Sequence, residues 1–88
     1  MSVIQVVLTI DPNKLPENFQ EILKEEQAIV AAWKQEGILS HLFLRPQRNG
    51  AILQFKGLLM DEVENRMQSL PFYHIRTNIE YFELLPQF

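Results

Sequence analysis

Near the middle of the chain an Asn49-Gly50 pair stands between two apolar runs, "ILSHLFLRP" and "AILQFKG", and no other feature restricts the fold as sharply. Asn-Gly supplies the residues that tolerate positive φ in a tight antiparallel turn. The second run alternates apolar with polar side chains, so the segment predicts a β-hairpin. An isolated hairpin is marginal in water and needs further strands or a helix against its apolar face. What flanks it therefore decides the architecture.

Upstream, "VIQVVLTI" is β-branched and apolar and ends in Asp11-Pro12-Asn13, which predicts a first strand over residues 3–10. Helical spacing then runs to Glu36, with Pro16 and Glu17 suited to a first turn and Gly37 to the stop after the last. Downstream, Met60, Val63, Met67 and Leu70 repeat at helical spacing until Pro71. The tail "YHIRTNIEYFELL" predicts a last strand, with Ile75, Ile79, Tyr81 and Leu85 on one side and Thr77 interrupting them.

The order βαββαβ predicts an α+β, ferredoxin-like fold: a four-stranded antiparallel sheet with two helices on one face. No linker or low-complexity tract divides the chain, so residues 1–88 are expected to form one domain. A chain of 88 residues with 47% hydrophobic content buries only about 60 to 65% of its surface. The second sheet face then needs a cover, and the apolar end "YFELLPQF" would be a hazard as a bare edge. Both point to a homodimer or higher homo-oligomer.

Composition excludes several functions. Eight Lys/Arg against eleven Asp/Glu give a net charge of −3 with no basic patch, which argues against nucleic acid as a partner. The absence of cysteine removes disulfides, thiolate chemistry and cysteine-based metal sites. Two histidines without an H-x-x-x-H spacing give little support for a metal, and three glycines without a GxGxxG give none for a phosphate cradle. The N-terminal apolar run falls far short of the ~20 residues that span a bilayer, so a cytoplasmic protein without a membrane partner is expected.

The chemistry is concentrated in the first helix, "FQEILKEEQAIVAAW". On a helical projection Phe19, Ile22, Leu23, Ile29, Val30 and Trp33 form one apolar stripe, and Glu26 falls inside it. Neither Ile22 nor Val30, one turn to each side, can pair with a carboxylate, and Lys24 points off the stripe. Burial without a cation raises a carboxyl pKa toward neutrality, where a general base or acid works. Two readings of Glu26 stay open: an acid–base group, or a buried carboxylate satisfied by a hydrogen bond.

On the following strand His41 alternates with Leu39, Phe43 and Arg45, leaving Ile38, Ser40, Leu42 and Leu44 on the other face. If the more apolar set faces the helices, His41 lies away from Glu26 within a subunit, as a catalytic partner or as an interface histidine. Arg45 and Arg48 bracket the hairpin tip and are candidates for binding a substrate carboxylate, against the alternative of a solvated tip. Trp33 and Phe43 are candidate ligand-lining aromatics, or core and interface residues.

The stretch from residue 24 to 72 resembles the muconolactone isomerase family within the dimeric α+β barrels. The matching features are Glu26 ten residues before Glu36-Gly37, then His41-Leu42-Phe43, Phe55 late in the third strand, and Leu70-Pro71 after the second helix. The chain departs from the family at Leu39 and Phe43, where the family has tryptophans, and at Arg48, where it has a histidine. Its basic residue after the histidine motif is displaced by one, to Arg45.

The resemblance implies a cofactor-free isomerase of aromatic-compound catabolism that shifts a proton within a small unsaturated lactone. It places Glu26 and His41 on the family's glutamate and histidine, in a pocket near subunit contacts. The alternatives are a non-catalytic module that binds a small hydrophobic ligand or only oligomerises, and a cofactor-free monooxygenase of the same barrel group.

Overall fold

The computed structural model describes residues 2–88. Strand β1 (Val3–Ile10) leads into helix α1 (Phe19–Glu36), the hairpin β2 (Leu39–Leu44) and β3 (Gly50–Lys56), helix α2 (Met60–Gln68), a 3-10 turn (Pro71–Ile75) and strand β4 (Arg76–Leu84). The strands form one sheet in the order β2-β3-β1-β4, with every neighbouring pair antiparallel. This is the ferredoxin-like α+β fold.

The two central strands show why the helices lie where they do. Along β1 burial alternates, with Ile4, Val6, Leu8 and Ile10 sealed. Ala51, Leu53 and Phe55 of β3 oppose that row and are buried with it. Successive strand side chains point to opposite faces, so one sheet face carries an almost wholly apolar row. The helices cover it with Trp33 of α1 and with Val63 and Met67 of α2, while Leu70 closes the core just beyond α2.

Local chemistry fixes the helix ends. Gly37 adopts φ 82°, its N–H donates to the Lys34 carbonyl, and the Ile38 N–H reaches back to Trp33. This left-handed cap lets the chain reverse directly into β2. The helix begins at Phe19 rather than at Pro16, because residues 16–18 form a separate turn in which the Phe19 N–H donates to the Pro16 carbonyl. At α2 the Leu59 N–H donates to Glu62 Oε1 at 2.9 Å, which starts the helix without a polar cap residue.

Three expectations are corrected. The hairpin does not turn on Asn49-Gly50: the chain reverses at Pro46-Gln47, where the Arg48 N–H donates to the Arg45 carbonyl at 2.9 Å. Arg48 takes the left-handed conformation at φ 59°. Gly50 instead opens β3, where a Cβ would stand 1.9 Å from the Leu8 carbonyl oxygen.

Leu39 does not share a face with His41. Leu39 pairs with Phe55 and His41 with Gln54, so Ser40 is an extra residue in a bulge that rotates Leu39 into the core. The last strand begins at Arg76, because Pro71 starts a 3-10 turn that carries Phe72 inward and takes up Tyr73 to Ile75.

Candidate active site

Packing α1 on the sheet carries Glu26 inward together with Ile22, Leu23, Ile29, Val30 and Trp33. Glu26 is 8% exposed, and among the described residues it is the one buried polar or charged side chain. Its Oε1 accepts the Phe72 N–H at 3.0 Å. Phe72 lies in the first turn of the 3-10 segment, where an N–H has no acceptor within its own helix, so the carboxylate satisfies a donor that would otherwise be stranded.

Two turns earlier on α1, Phe19 stacks on the Phe72 ring with centroids 5.6 Å apart. One helix thus holds the Phe72 turn by a ring and by a carboxylate.

No cation offsets the buried charge. Among the described residues the single ion pair is Arg66 with Glu36, on the outer ends of the helices. Burial pushes the Glu26 carboxyl from its ordinary 4.5 up to about 7, with the Phe72 N–H pulling part of the way back. Among the described residues Glu26 Oε2 makes no hydrogen bond. A carboxyl anchored by one oxygen, with the other oxygen free and a proton affinity near neutrality, can take up and return a proton.

The remaining candidates separate. Trp33 is 5% exposed and tilted against Phe55, so it is a core residue and not a ligand-lining one. His41 and Phe43 project from the sheet face opposite the helices, their rings parallel with centroids 5.8 Å apart. His41 borders a groove between the β2 edge and α1, beside Val30 and Lys34. It also borders a wider one on the open sheet face, beside Gln54, Lys56 and Leu84. Glu26 lines neither groove, so His41 and Glu26 do not meet within a subunit.

Arg45 and Arg48 lie at the other end of the sheet, where the hairpin passes the start of α1. Arg45 donates to Thr9 Oγ1 at 2.9 Å. Both arginines line a groove of about 320 Å³ whose apolar wall is Ile10, Phe19, Leu23, Leu44 and Phe72.

Phe72 and Phe19 are the site residues that sequence reasoning missed in this role. The only hint was Pro71, which marks the start of a turn but not what the turn faces. Tyr81, half-buried on the helix-covered side of β4, is pushed up to about 12 by burial and by its neighbours Tyr73 and Glu64, and so stays protonated. Among the described residues no three His, Cys, Asp or Glu side chains gather as a metal site, and no helix is long and apolar enough to cross a membrane.

No protein-family model matches the chain, and no curated protein matches its sequence. Among solved structures, it is similar to the 5-chloro-2-hydroxyhydroquinone dehydrochlorinase of Burkholderia phenoliruptrix, determined in complex with 2,5-dihydroxybenzoquinone. The TM-score is 0.62 at 12% sequence identity, over 91% of this chain and 90% of that one. At this identity the likeness shows a shared fold.

Proposed function

We propose that this protein is a cofactor-free enzyme that moves a proton within a small unsaturated carbonyl compound, with Glu26 as the general base and acid. The observation that carries the reading is a buried carboxyl with no cation partner, tied by one oxygen to the Phe72 N–H and left free at the other. Glu26 removes a proton from a carbon activated by the carbonyl, the electron pair moves onto the carbonyl oxygen as an enolate, and the Glu26 carboxyl, after exchanging its proton with solvent, returns a proton at a second carbon. No electrons leave the substrate.

The sequence resemblance to muconolactone isomerases supports a lactone as the substrate. The quinone held by the similar dehydrochlorinase supports a flat, oxygenated ring of that size. Tyr81 is a protonated hydroxyl on the same side of the sheet as α1, a candidate to steady the enolate oxygen.

The working form is a homo-oligomer. Phe43, Phe82 and Leu84 lie exposed on the sheet face that the helices leave open, and a second copy is the cover this chain can supply for itself. Any share His41 has in the reaction is then taken at a subunit contact.

A second reading has its own observation. The Phe72 N–H needs an acceptor, and Glu26 as a structural tie in a non-catalytic ligand-binding module would meet that need alone.

Exchange in heavy water separates the two. With a series of five-membered unsaturated lactones and cyclic enones, the protein should introduce deuterium at the activated carbon, and Glu26→Gln should slow this by roughly 100-fold or more. Equal exchange by wild type and Glu26→Gln, or none by wild type with any member of the series, would leave only the structural tie.

A further inference from the structure

We infer that two copies of this chain pack open sheet face to open sheet face about a two-fold axis parallel to their strands, held in register by the side-chain pair Gln5–Gln54. This geometry rests on the homo-oligomer proposed above and is independent of Glu26.

The pair stands in the middle of the uncovered face. Gln5 on β1 and Gln54 on β3 lie directly opposite each other, and Gln54 Nε2 donates to Gln5 Oε1 at 2.9 Å. His41 on β2 flanks the pair on one side and Phe82 on β4 on the other, so one row of side chains crosses all four strands. Val3 and Val7 stand to either side of Gln5 on the same face of β1, and Ile52 lies beside Val7. Two amides are thus set into a mostly apolar surface.

Their chemistry selects what can cover that surface. Each amide offers two N–H donors and one accepting oxygen. Beyond the bond that joins the pair, neither Gln5 Nε2 nor Gln54 Oε1 has a hydrogen bond among the described residues. Read from Gln54 to Gln5, the row presents acceptor, donor, acceptor, donor. A purely apolar cover would strand the outer two groups, at about 1–3 kcal/mol each.

A second copy strands nothing. Rotated about an axis parallel to the strands, it presents the same row reversed, so that Gln54 Oε1 accepts from the partner's Gln5 and Gln5 Nε2 donates to the partner's Gln54. An axis across the strands would instead set oxygen on oxygen and N–H on N–H. Turning both amides over reverses every sign and leaves the match intact.

The packing of sheets allows this contact. Stacked sheets lie ~10 Å apart with their strands crossing at about 30°, and a pair on the axis is the part of the face that this angle displaces least. Because β2 and β4 are opposite edges of the sheet, the same rotation lays β2 over the partner's β4. His41 then faces the partner's Phe82.

Sedimentation and NMR on the full chain test the arrangement. In a 1:1 mixture of isotope-labelled and unlabelled chain, interchain NOEs should connect His41 with Phe82, and none should connect Phe82 with Phe82. Gln5→Glu keeps an acceptor for Gln54 within its own chain but puts oxygen against oxygen twice per dimer. It should weaken self-association by roughly 100-fold. Replacing both Gln5 and Gln54 by Leu removes every group that needs a partner, and that variant should associate at least as tightly as wild type.

Interchain Phe82–Phe82 NOEs, Gln5→Glu associating as wild type does, or a dissociated double-leucine variant would each overturn the arrangement. A monomeric wild type defeats the homo-oligomer itself, whereas an oligomer without the His41–Phe82 NOE defeats this geometry alone. Deuterium exchange at a substrate carbon tests Glu26 separately from both.

Discussion

At the scale of single residues, Glu26 does two things that pull against each other. It satisfies the Phe72 N–H, and it places an unpaired charge where water is scarce. Its carboxyl binds a proton more tightly folded, at about 7, than at its ordinary 4.5. The contribution of Glu26 to native stability is therefore fully present below about pH 4.5 and is lost as pH rises through 7. The loss is on the order of 2 kcal/mol.

Glu26→Gln retains an oxygen to accept from Phe72 but has no charge to bury. The variant should match wild type in urea unfolding at pH 4.5 and exceed it by roughly 1–2 kcal/mol at pH 8. Equal stability at both pH values would mean that the carboxyl is not desolvated. A residue whose charge weakens the fold at neutral pH is what an acid–base role, rather than a purely structural one, would leave behind.

At the scale of elements, the hairpin shows how a correct local reading can rest on the wrong residue. Asn49-Gly50 was the strongest turn feature in the sequence, yet the chain reverses at Pro46-Gln47 and Gly50 serves the sheet. At Gly50, φ is 138° and the space for a Cβ is taken by the Leu8 carbonyl; at Gly37, φ is 82° but the surroundings are open. Gly37→Ala should therefore cost about 1 kcal/mol, for the left-handed backbone alone. Gly50→Ala should cost roughly 3 kcal/mol or more, since β1 and β3 must separate to admit the methyl group. Urea midpoints of the two variants give the comparison, and equal losses would rule out the close approach of β1 to Gly50. The bulge at Ser40 acts on the same scale, since one unpaired residue decides that Leu39 packs in the core while His41 stays outside.

At the scale of the whole molecule, both helices lie on one side of a four-stranded sheet, and the other side is left with Phe43 at 50%, Phe82 at 42% and Leu84 at 39% exposure. Phe82 lies opposite Gln5 on the central strand β1, well placed to sit within a subunit contact. Phe82→Lys would bury a charge in any interface formed there, at a cost of several kcal/mol. Sedimentation should show an oligomer for wild type at micromolar concentration and a monomer for the variant. A wild-type monomer would refute the proposed assembly, and with it any meeting of His41 and Glu26 across subunits.

Sequence by itself determined the order of the elements, the inward stripe of α1 and the presence of a carboxylate within it, because periodicity of apolar residues is a local property that packing has to obey. Glu26 could be singled out for the same reason: Ile22 and Val30 beside it offer no countercharge. Only the tertiary structure decided what the carboxylate meets. Phe72 is 46 residues further on, and its N–H is delivered by a turn whose direction depends on how α2 packs. The grouping of Arg48 with Phe19 and Phe72 likewise follows from a hairpin end passing the start of a helix, a contact no spacing along the chain encodes. The stretch that began as a helix with a charge in its apolar face is, in the folded chain, a helix whose buried carboxylate holds the turn at Phe72.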